Sequence, residues 1–353
     1  MTKIKILDCT LRDGSYANNF QFTADDTRNI VQGLEEAGVT LIEVGHGVGL
    51  GASEKGFGVA AETDESYLEA TADVIKEANW GMFCIPGIAD LSHLDMAADY
   101  GMKFVRIGTT FDKYKEMFPF IDKAKKHNMY ICCNFMKSHL ASPKTFAEYA
   151  KRVNDYGSDV IYLVDSSGGM LPNEIEAYIK EVKKKSDKIT LGFHGHNNIG
   201  LGVANSLVAQ SLGVKIIDVS LQGFGRSAGN TPSEQFLSAL LRQKIDTDIN
   251  LLEIMDLGEQ FIQPLICTAG ISSIDTVLGL TLFHSSHMPI IKRQSAKYRV
   301  DSRELIISIS SNNLDSITEE KIEEHAKILA FRGNKGHWKA IYKQYYGEEQ
   351  SNL

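Results

Sequence analysis

Residues 160–196 read VIYLVDSSGGMLPNEIEAYIKEVKKKSDKITLGFHGH, and this stretch decides the fold. Val160–Val164 is an unbroken apolar run of strand length, the mark of a strand buried on both faces. From Pro172 to Lys185 the apolar residues Ile175, Tyr178, Ile179 and Val182 recur at helical spacing, with proline where a helix can begin and three lysines at its end. A second apolar run follows at Ile189–Phe193. Strand, helix and strand in this order form one βαβ unit.

The unit recurs along the chain. Strand candidates are Ile4–Leu7, Leu41–Val44, Gly81–Ile85, Phe104–Ile107, Tyr130–Phe135, Val160–Val164, Ile189–Phe193 and Ile216–Ser220. Between them, helical patterns cover Ala24–Ala37, Asp64–Ala78, Ser92–Tyr100, Phe118–His127, Pro143–Tyr156, Pro172–Lys185 and Leu201–Leu212, and an eighth lies near Pro232–Arg242. Gly38, Gly101, Gly157 and Gly213 fit helix C-terminal caps. Eight such units predict an α/β fold, a (β/α)8 TIM barrel over residues 1–245. An open doubly wound sheet is the alternative, but no Gly-rich phosphate turn follows the first strand. The rhythm breaks near residue 245. Helical patterns at Leu251–Gln263, Ile274–Ser285, Ser302–Ser310 and Glu319–Phe331 predict a C-terminal helical extension over residues 246–353.

Composition narrows the partners. A net charge of -8 argues against nucleic acid, and the longest basic run, Lys183-Lys-Lys185, sits at a helix end. No stretch approaches the roughly 20 apolar residues that span a bilayer, and Met1-Thr-Lys-Ile-Lys-Ile runs into a strand without a signal-peptide core. Cysteines at 9, 84, 132, 133 and 267 are odd in number and dispersed, which predicts reduced thiols and a cytoplasmic protein; Cys132 and Cys133 read as packing on opposite faces of one strand.

In a barrel, chemistry sits on the loops after the strands. Polar residues gather there: Arg12-Asp13, His46, Lys137-Ser-His139, Asp165-Ser-Ser-Gly168, His194-Gly-His196 and Gln222-Gly-Phe-Gly-Arg226. His194 and His196, two apart at a strand end, share one face and can converge on a metal. With Asp13 they form a mixed oxygen and nitrogen set suited to Mn²⁺ or Mg²⁺, with Co²⁺ or Zn²⁺ as alternatives. A structural zinc site is disfavoured because no cysteine belongs to the set. Arg12, next to Asp13, reads as a fixed cation for an oxyanion or enolate on a bound 2-oxo acid, and otherwise as a salt bridge at the barrel mouth.

Thr10-Leu-Arg-Asp-Gly14 and Gly192-Phe-His-Gly-His-Asn-Asn-Ile-Gly-Leu-Gly-Val-Ala-Asn205 together resemble the metal-dependent pyruvate aldolase, 3-hydroxy-3-methylglutaryl-CoA lyase and isopropylmalate synthase superfamily. Ile42-Glu-Val-Gly-His-Gly47, Gly56-Phe-Gly58, Met136-Lys-Ser-His139, Asp165-Ser-Ser-Gly168 and Asp218–Pro232 fit its 4-hydroxy-2-oxovalerate aldolase branch. The resemblance spans the whole barrel and reaches more weakly into the extension. It implies a divalent-metal carbon–carbon lyase that makes or cleaves a 4-hydroxy-2-oxo acid through pyruvate enolate. By position it also implies metal ligation by Asp13, His194 and His196, with Asn230 as an outer contact or extra ligand, and Ser166 as a contact for the substrate carboxylate.

Three departures concern the aldehyde side. Tyr16 stands where the aldolases carry the histidine that handles the 4-hydroxyl proton, and an ordinary tyrosine is a poor base at neutral pH. His46, His139 and His284 are the substitute candidates, with His139 also a substrate contact. His284 lies where the aldolases place tyrosines, and Arg226 where they have small residues. Arg226 reads either as solvent-facing or as a contact for an acidic or phosphorylated acceptor. The expected aldehyde is therefore not acetaldehyde. The alternatives are a Claisen-type acyl-CoA and 2-oxo acid synthase or lyase, and a non-catalytic metal-binding barrel that serves as a partner subunit. The aldolases pair with an acylating aldehyde dehydrogenase; the altered acceptor side argues against that partner here, and a homo-oligomer stays open.

Overall fold

The computed structural model describes residues 4–266, 272–311 and 317–332. Strands β1 (Lys5–Asp8), β2 (Leu41–Val44), β3 (Asn79–Cys84), β4 (Phe104–Thr109), β5 (Tyr130–Phe135), β6 (Val160–Asp165), β7 (Leu191–Gly195) and β8 (Ile216–Val219) pair in sequence order, all parallel. β8 returns to β1 through Leu7 opposite Asp218, so the sheet closes into the expected barrel. Helices α1 (Ala24–Glu36), α2 (Asp64–Ala72), α3 (Leu91–Asp99), α4 (Phe118–Lys126), α5 (Pro143–Tyr156), α6 (Pro172–Lys185), α7 (Gly202–Ser211) and α8 (Ser233–Arg242) ring it.

The strands alternate faces as a pleat requires. Leu7, Leu41, Phe104, Cys132, Val160, Tyr162, Val164 and Ile216 pack inside the barrel, while Ile42, Val105, Cys133, Ile161 and Ile217 join the larger core under the helices. Cys132 and Cys133 thus serve opposite faces, as expected. Cys267 lies outside the described residues.

Helix α2 ends six residues before its expected end at Ala78. Beyond Ala72 the chain turns to give the N–H groups of Lys76, Glu77 and Ala78 to the carboxylate of Glu35 on the neighbouring helix, and Ala78 N lies 2.7 Å from Glu35 Oε1. A local periodicity cannot register that distant acceptor.

Past the barrel, α9 (Leu251–Leu257) still belongs to its core: Ile254 and Ile262 join the main cluster, and Asn250 N donates to Ala37 O at 2.8 Å. A second core then forms among α10 (Ser273–Thr281), α11 (Met288–Tyr298), α12 (Ser302–Ser310) and α13 (Glu319–Arg332), with Leu278, Met288, Ile291, Leu305, Ile306 and Ile322 at its centre. The sequence reading missed α11. Its buried face includes Gln294 and Ser295, which blur the apolar period. No helix among the described residues is long and apolar enough to cross a membrane.

The extension covers the barrel mouth. Asn198 Nδ2 donates to Asp275 O at 3.1 Å, Ser227 Oγ to Asp275 Oδ1 at 2.6 Å, and Arg226 Nε to Ser285 Oγ at 2.8 Å. Gly169 lies so close to the Gly279 carbonyl that a side chain at 169 would collide with it.

Candidate metal centre and active site

The Asp13 side is built from β1 outward. Asp8 ends the strand and accepts hydrogen bonds from Thr10 N at 2.9 Å and Thr10 Oγ1 at 3.0 Å. Thr10 Oγ1 in turn accepts from Leu221 N at 2.8 Å. These bonds start a single helical turn, Thr10–Asp13, and buried Arg12 and Asp13 leave it towards the barrel axis. The turn is one the sequence reading did not foresee; it placed Asp13 directly past the strand.

His194 sits on β7 and His196 one residue past it. The ring of His194 uses Nδ1 on Asp218 Oδ2 at 2.9 Å, and that of His196 uses Nδ1 near Gly229 O at 3.2 Å. Anchored this way, each ring leaves Nε2 for a shared ligand, the usual outer arrangement of histidine metal ligands. Ligand atoms of Asp13, His194 and His196 all lie within 4.8 Å of one another, and all three residues are buried. Asn230, paired with His196 in an antiparallel bridge, donates Nδ2 to Asp13 Oδ2 at 2.8 Å. Its Oδ1 is buried without a hydrogen-bond partner. Gly225 backs the same cradle, where an added Cβ would strike the Asn230 amide and lie 2.9 Å from Asp13 Oδ2. An orphaned oxygen beside a carboxylate and two imidazoles is a donor set that fits a divalent ion.

Burial alone would raise the Asp13 carboxyl, but Arg12, the two histidines and the Asn230 amide hold it well below the usual carboxylate range. Burial pushes His196 down to about 4, so this ring is a neutral donor at pH 7.

Beneath the triad runs a chain of buried charges. Arg12 Nη1 meets Asp13 Oδ1 at 2.5 Å, and Arg12 Nε meets Glu43 Oε2 at 2.9 Å. Glu43 Oε2 also takes Arg106 Nη1 at 2.7 Å, and Arg106 Nη2 reaches Asp218 Oδ2 at 2.5 Å. Asp218 then holds His194. Arg106 is fully buried, with its guanidinium carbon 4.3 Å from the Tyr162 ring centroid. Sequence reasoning did not assign roles to Glu43, Arg106 or Asp218. Each is a lone charge in an otherwise apolar strand, and that was the signal available.

Of the remaining predicted residues, Arg226 and His139 touch the extension and His284 belongs to it. Ser166 Oγ accepts from Lys137 N at 2.9 Å. Tyr16 is buried, and the Arg226 guanidinium carbon lies 4.7 Å above its ring centroid. His284 approaches from the extension, and its Nδ1 accepts from Ser286 N at 3.2 Å; in the neutral ring this puts the hydrogen on Nε2. His139 lies beside Leu282, its Nδ1 is buried and unpartnered, and burial pushes it down to about 4. His46 shares its neighbour Phe20 with Tyr16. It stacks on Phe20 with centroids 4.0 Å apart, its Nδ1 accepts from Val48 N at 3.1 Å, and its Nε2 lies 3.2 Å from Gly58 O. Both nitrogens of His46 are therefore engaged by backbone.

A closed (β/α)8 barrel with a buried, metal-ready mouth is the frame of an enzyme. The profile of the HMGL-like family matches residues 3–261. The chain is 38% identical over 331 residues to the 4-hydroxy-2-oxovalerate aldolase of Desulfitobacterium hafniense, covering 94% of this chain and 99% of that protein. It is 36% identical to 4-hydroxy-2-oxovalerate aldolase 2 of Rhodococcus jostii, covering 94% and 96%. The carboxyl transferase domain of Rhizobium etli pyruvate carboxylase superposes with a TM-score of 0.75 at 13% identity, over 94% of this chain and 61% of that one. The HMG-CoA lyase of Bacillus subtilis superposes at 0.66 and 16% identity, over 75% and 94%. These two share the fold. The chain belongs to the HMGL-like family, and it is a carbon–carbon lyase of the aldolase kind.

Proposed function

We propose that the protein cleaves or forms a 4-hydroxy-2-oxo acid, with pyruvate as the 2-oxo acid and an aldehyde other than acetaldehyde as the second partner. One observation carries the reading: ligand atoms of Asp13, His194 and His196 lie within 4.8 Å of one another, beside Asn230, whose amide nitrogen holds Asp13 and whose oxygen is buried without a partner, and Arg12 is ion-paired to Asp13. Asp13, His194, His196 and Asn230 would hold a divalent ion, Mn²⁺ or alternatively Mg²⁺ or Co²⁺. Bound there, the ion supplies Lewis-acid polarisation of a 2-oxo acid.

The chain's own groups account for the rest. Arg12 spends Nε and Nη1 on Glu43 and Asp13, which leaves Nη2 for the oxygen that becomes negative as the enolate forms. Because Glu43 is itself pinned by Arg106, the guanidinium is fixed before substrate arrives. Ser166, oriented by Lys137 N–H, is the contact for the pyruvate carboxylate. In the condensation direction one proton leaves the methyl carbon and one reaches the new 4-oxygen; cleavage reverses both transfers. We assign this traffic to His139 and His284, with the Tyr16 hydroxyl as a hydrogen-bond donor to the aldehyde oxygen. His46 is given no part in it, because both of its ring nitrogens meet backbone groups.

The test is release of pyruvate from a panel of 4-hydroxy-2-oxo acids by the Mn²⁺-loaded protein. Pyruvate should appear, and Arg12→Ala should lower kcat by about 10²–10³-fold, the usual cost of losing an oxyanion donor. No pyruvate from any member of the panel would overturn the proposal.

A further inference from the structure

Helix α10 of the extension is seated on the loops that carry the metal set. Missing side chains make the seat. A Cβ added at Gly279 would lie 2.7 Å from Ile199 Cγ2 and 2.9 Å from Asn198 Cβ, and Gly169 abuts the Gly279 carbonyl. Asn198 and Ile199 stand two and three residues past His196.

Polar contacts fix the loop after β8 to the same helix. Ser227 lies at φ 57°, a left-handed conformation that costs a serine energy and persists where surrounding contacts hold it. Its Oγ donates to Asp275 Oδ1 at 2.6 Å and accepts from Asn198 Nδ2 at 2.8 Å. Asn198 Nδ2 also reaches Asp275 O at 3.1 Å. Beside Ser227, Arg226 Nε donates to Ser285 Oγ at 2.8 Å.

The same stretch of loop holds the metal set from within. Arg226 N donates to Asp13 Oδ2 at 3.2 Å, and Asn230 Nδ2 donates to that oxygen at 2.8 Å. Gly229 O accepts from Asn197 N at 2.9 Å and lies 3.2 Å from His196 Nδ1. Residues 226–230 are thus gripped from two sides, by Asp275 and Ser285 outwardly and by Asp13 and His196 inwardly.

We propose that Asp275 is a positioning residue of the metal centre and acts through Ser227. By holding the strained loop it sets the Arg226 N–H, the Gly229 carbonyl and Asn230 against Asp13 and His196. Docking of α10 and binding of the divalent ion then share one coupling free energy. Such coupling is reciprocal: an ion that orders the loop from within tightens α10 from without. The proposal rests on the metal centre of the reading above and on no step of the aldol reaction.

Two measurements test it. In the first, metal-free protein is titrated calorimetrically with Mn²⁺. Asp275→Ala and Ser227→Ala should each weaken binding about 5–50-fold. The double variant should lose little more than either alone, because both act through one hydrogen bond. Asp275→Asn, whose amide oxygen can still accept from Ser227, should recover most of the affinity. An Asp275 that serves folding alone would lower the melting temperature in Asp275→Ala and leave the Mn²⁺ affinity of the folded protein unchanged.

The second measurement is hydrogen exchange by mass spectrometry, which in the wild type needs no variant to fold. Mn²⁺ should slow exchange of the α10 amides about fivefold or more, and Asp275→Ala should abolish the slowing. Wild-type Mn²⁺ affinity in Asp275→Ala would overturn the proposal and leave the aldolase reading standing. Exchange in α10 indifferent to Mn²⁺ in the wild type would overturn it as well. Coupling without any pyruvate chemistry would end the aldolase reading and support the role of Asp275.

Discussion

His194 Nδ1 lies 2.9 Å from Asp218 Oδ2, and that same oxygen is 2.5 Å from Arg106 Nη2. One carboxylate oxygen thus fixes the tautomer of a proposed metal ligand and closes the buried charge chain that begins at Arg12. Burial alone would raise the Asp218 carboxyl, but Arg106 and His194 draw it below the ordinary carboxylate range, so it stays ionised.

Asp218→Asn should therefore weaken Mn²⁺ binding about 10–100-fold, the usual effect of losing a carboxylate behind a histidine ligand. It should also destabilise the fold by about 1.5–3 kcal/mol, because Arg106 loses a charged hydrogen bond and keeps Glu43 as its one remaining carboxylate. Metal titration and urea unfolding measure the two effects separately. Unchanged metal affinity would show that Asp218 serves the arginine alone.

Mn²⁺ should raise the melting temperature of the wild-type protein. At one hundred times Kd the linkage is worth about 2.7 kcal/mol. His196→Ala and Asp13→Asn should lose that rise while keeping the far-ultraviolet circular dichroism of the barrel. A rise that persists in both variants would place the ion elsewhere.

His46 gives a pH prediction with a definite sign. Burial depresses its folded value to about 4, whereas the unfolded chain protonates it near 6.5. Between those values the unfolded state binds the extra proton, so stability falls as pH drops from about 6.5 to about 4 and is flat for this group above that window. The depression is worth about 3 kcal/mol. Metal-free His46→Gln should show a shallower loss of urea stability between pH 7 and pH 5 than the wild type. Equal slopes would mean that the ring does not titrate this way.

The barrel was legible because each strand is a short apolar run closed by polar residues, and helices such as Ala24–Glu36 and Pro143–Tyr156 carry their own period and caps. Val160–Asp165 and Pro172–Lys185 needed nothing beyond their own residues. What escaped depends on partners far away in sequence: Glu35 ends α2, Gln294 and Ser295 disguise α11, and Asp8 with Leu221 winds the turn that carries Asp13. The site divides in the same way. His194-Gly-His196 and Arg12-Asp13 announce themselves by spacing, whereas Glu43, Arg106 and Asp218 acquire meaning only when three strands set them side by side. The extension's part in the mouth, through Ser285 and Leu282, belongs to that second kind.

The central claim is that this site makes the enolate of pyruvate. Its most direct test is exchange of the pyruvate methyl hydrogens with deuterium oxide, followed by proton NMR on the Mn²⁺-supplemented protein without any aldehyde. Loss of the methyl signal, slowed by about 10²–10³-fold in Arg12→Ala, is the predicted result. A methyl signal that survives with Mn²⁺, Mg²⁺ and Co²⁺ alike would contradict it.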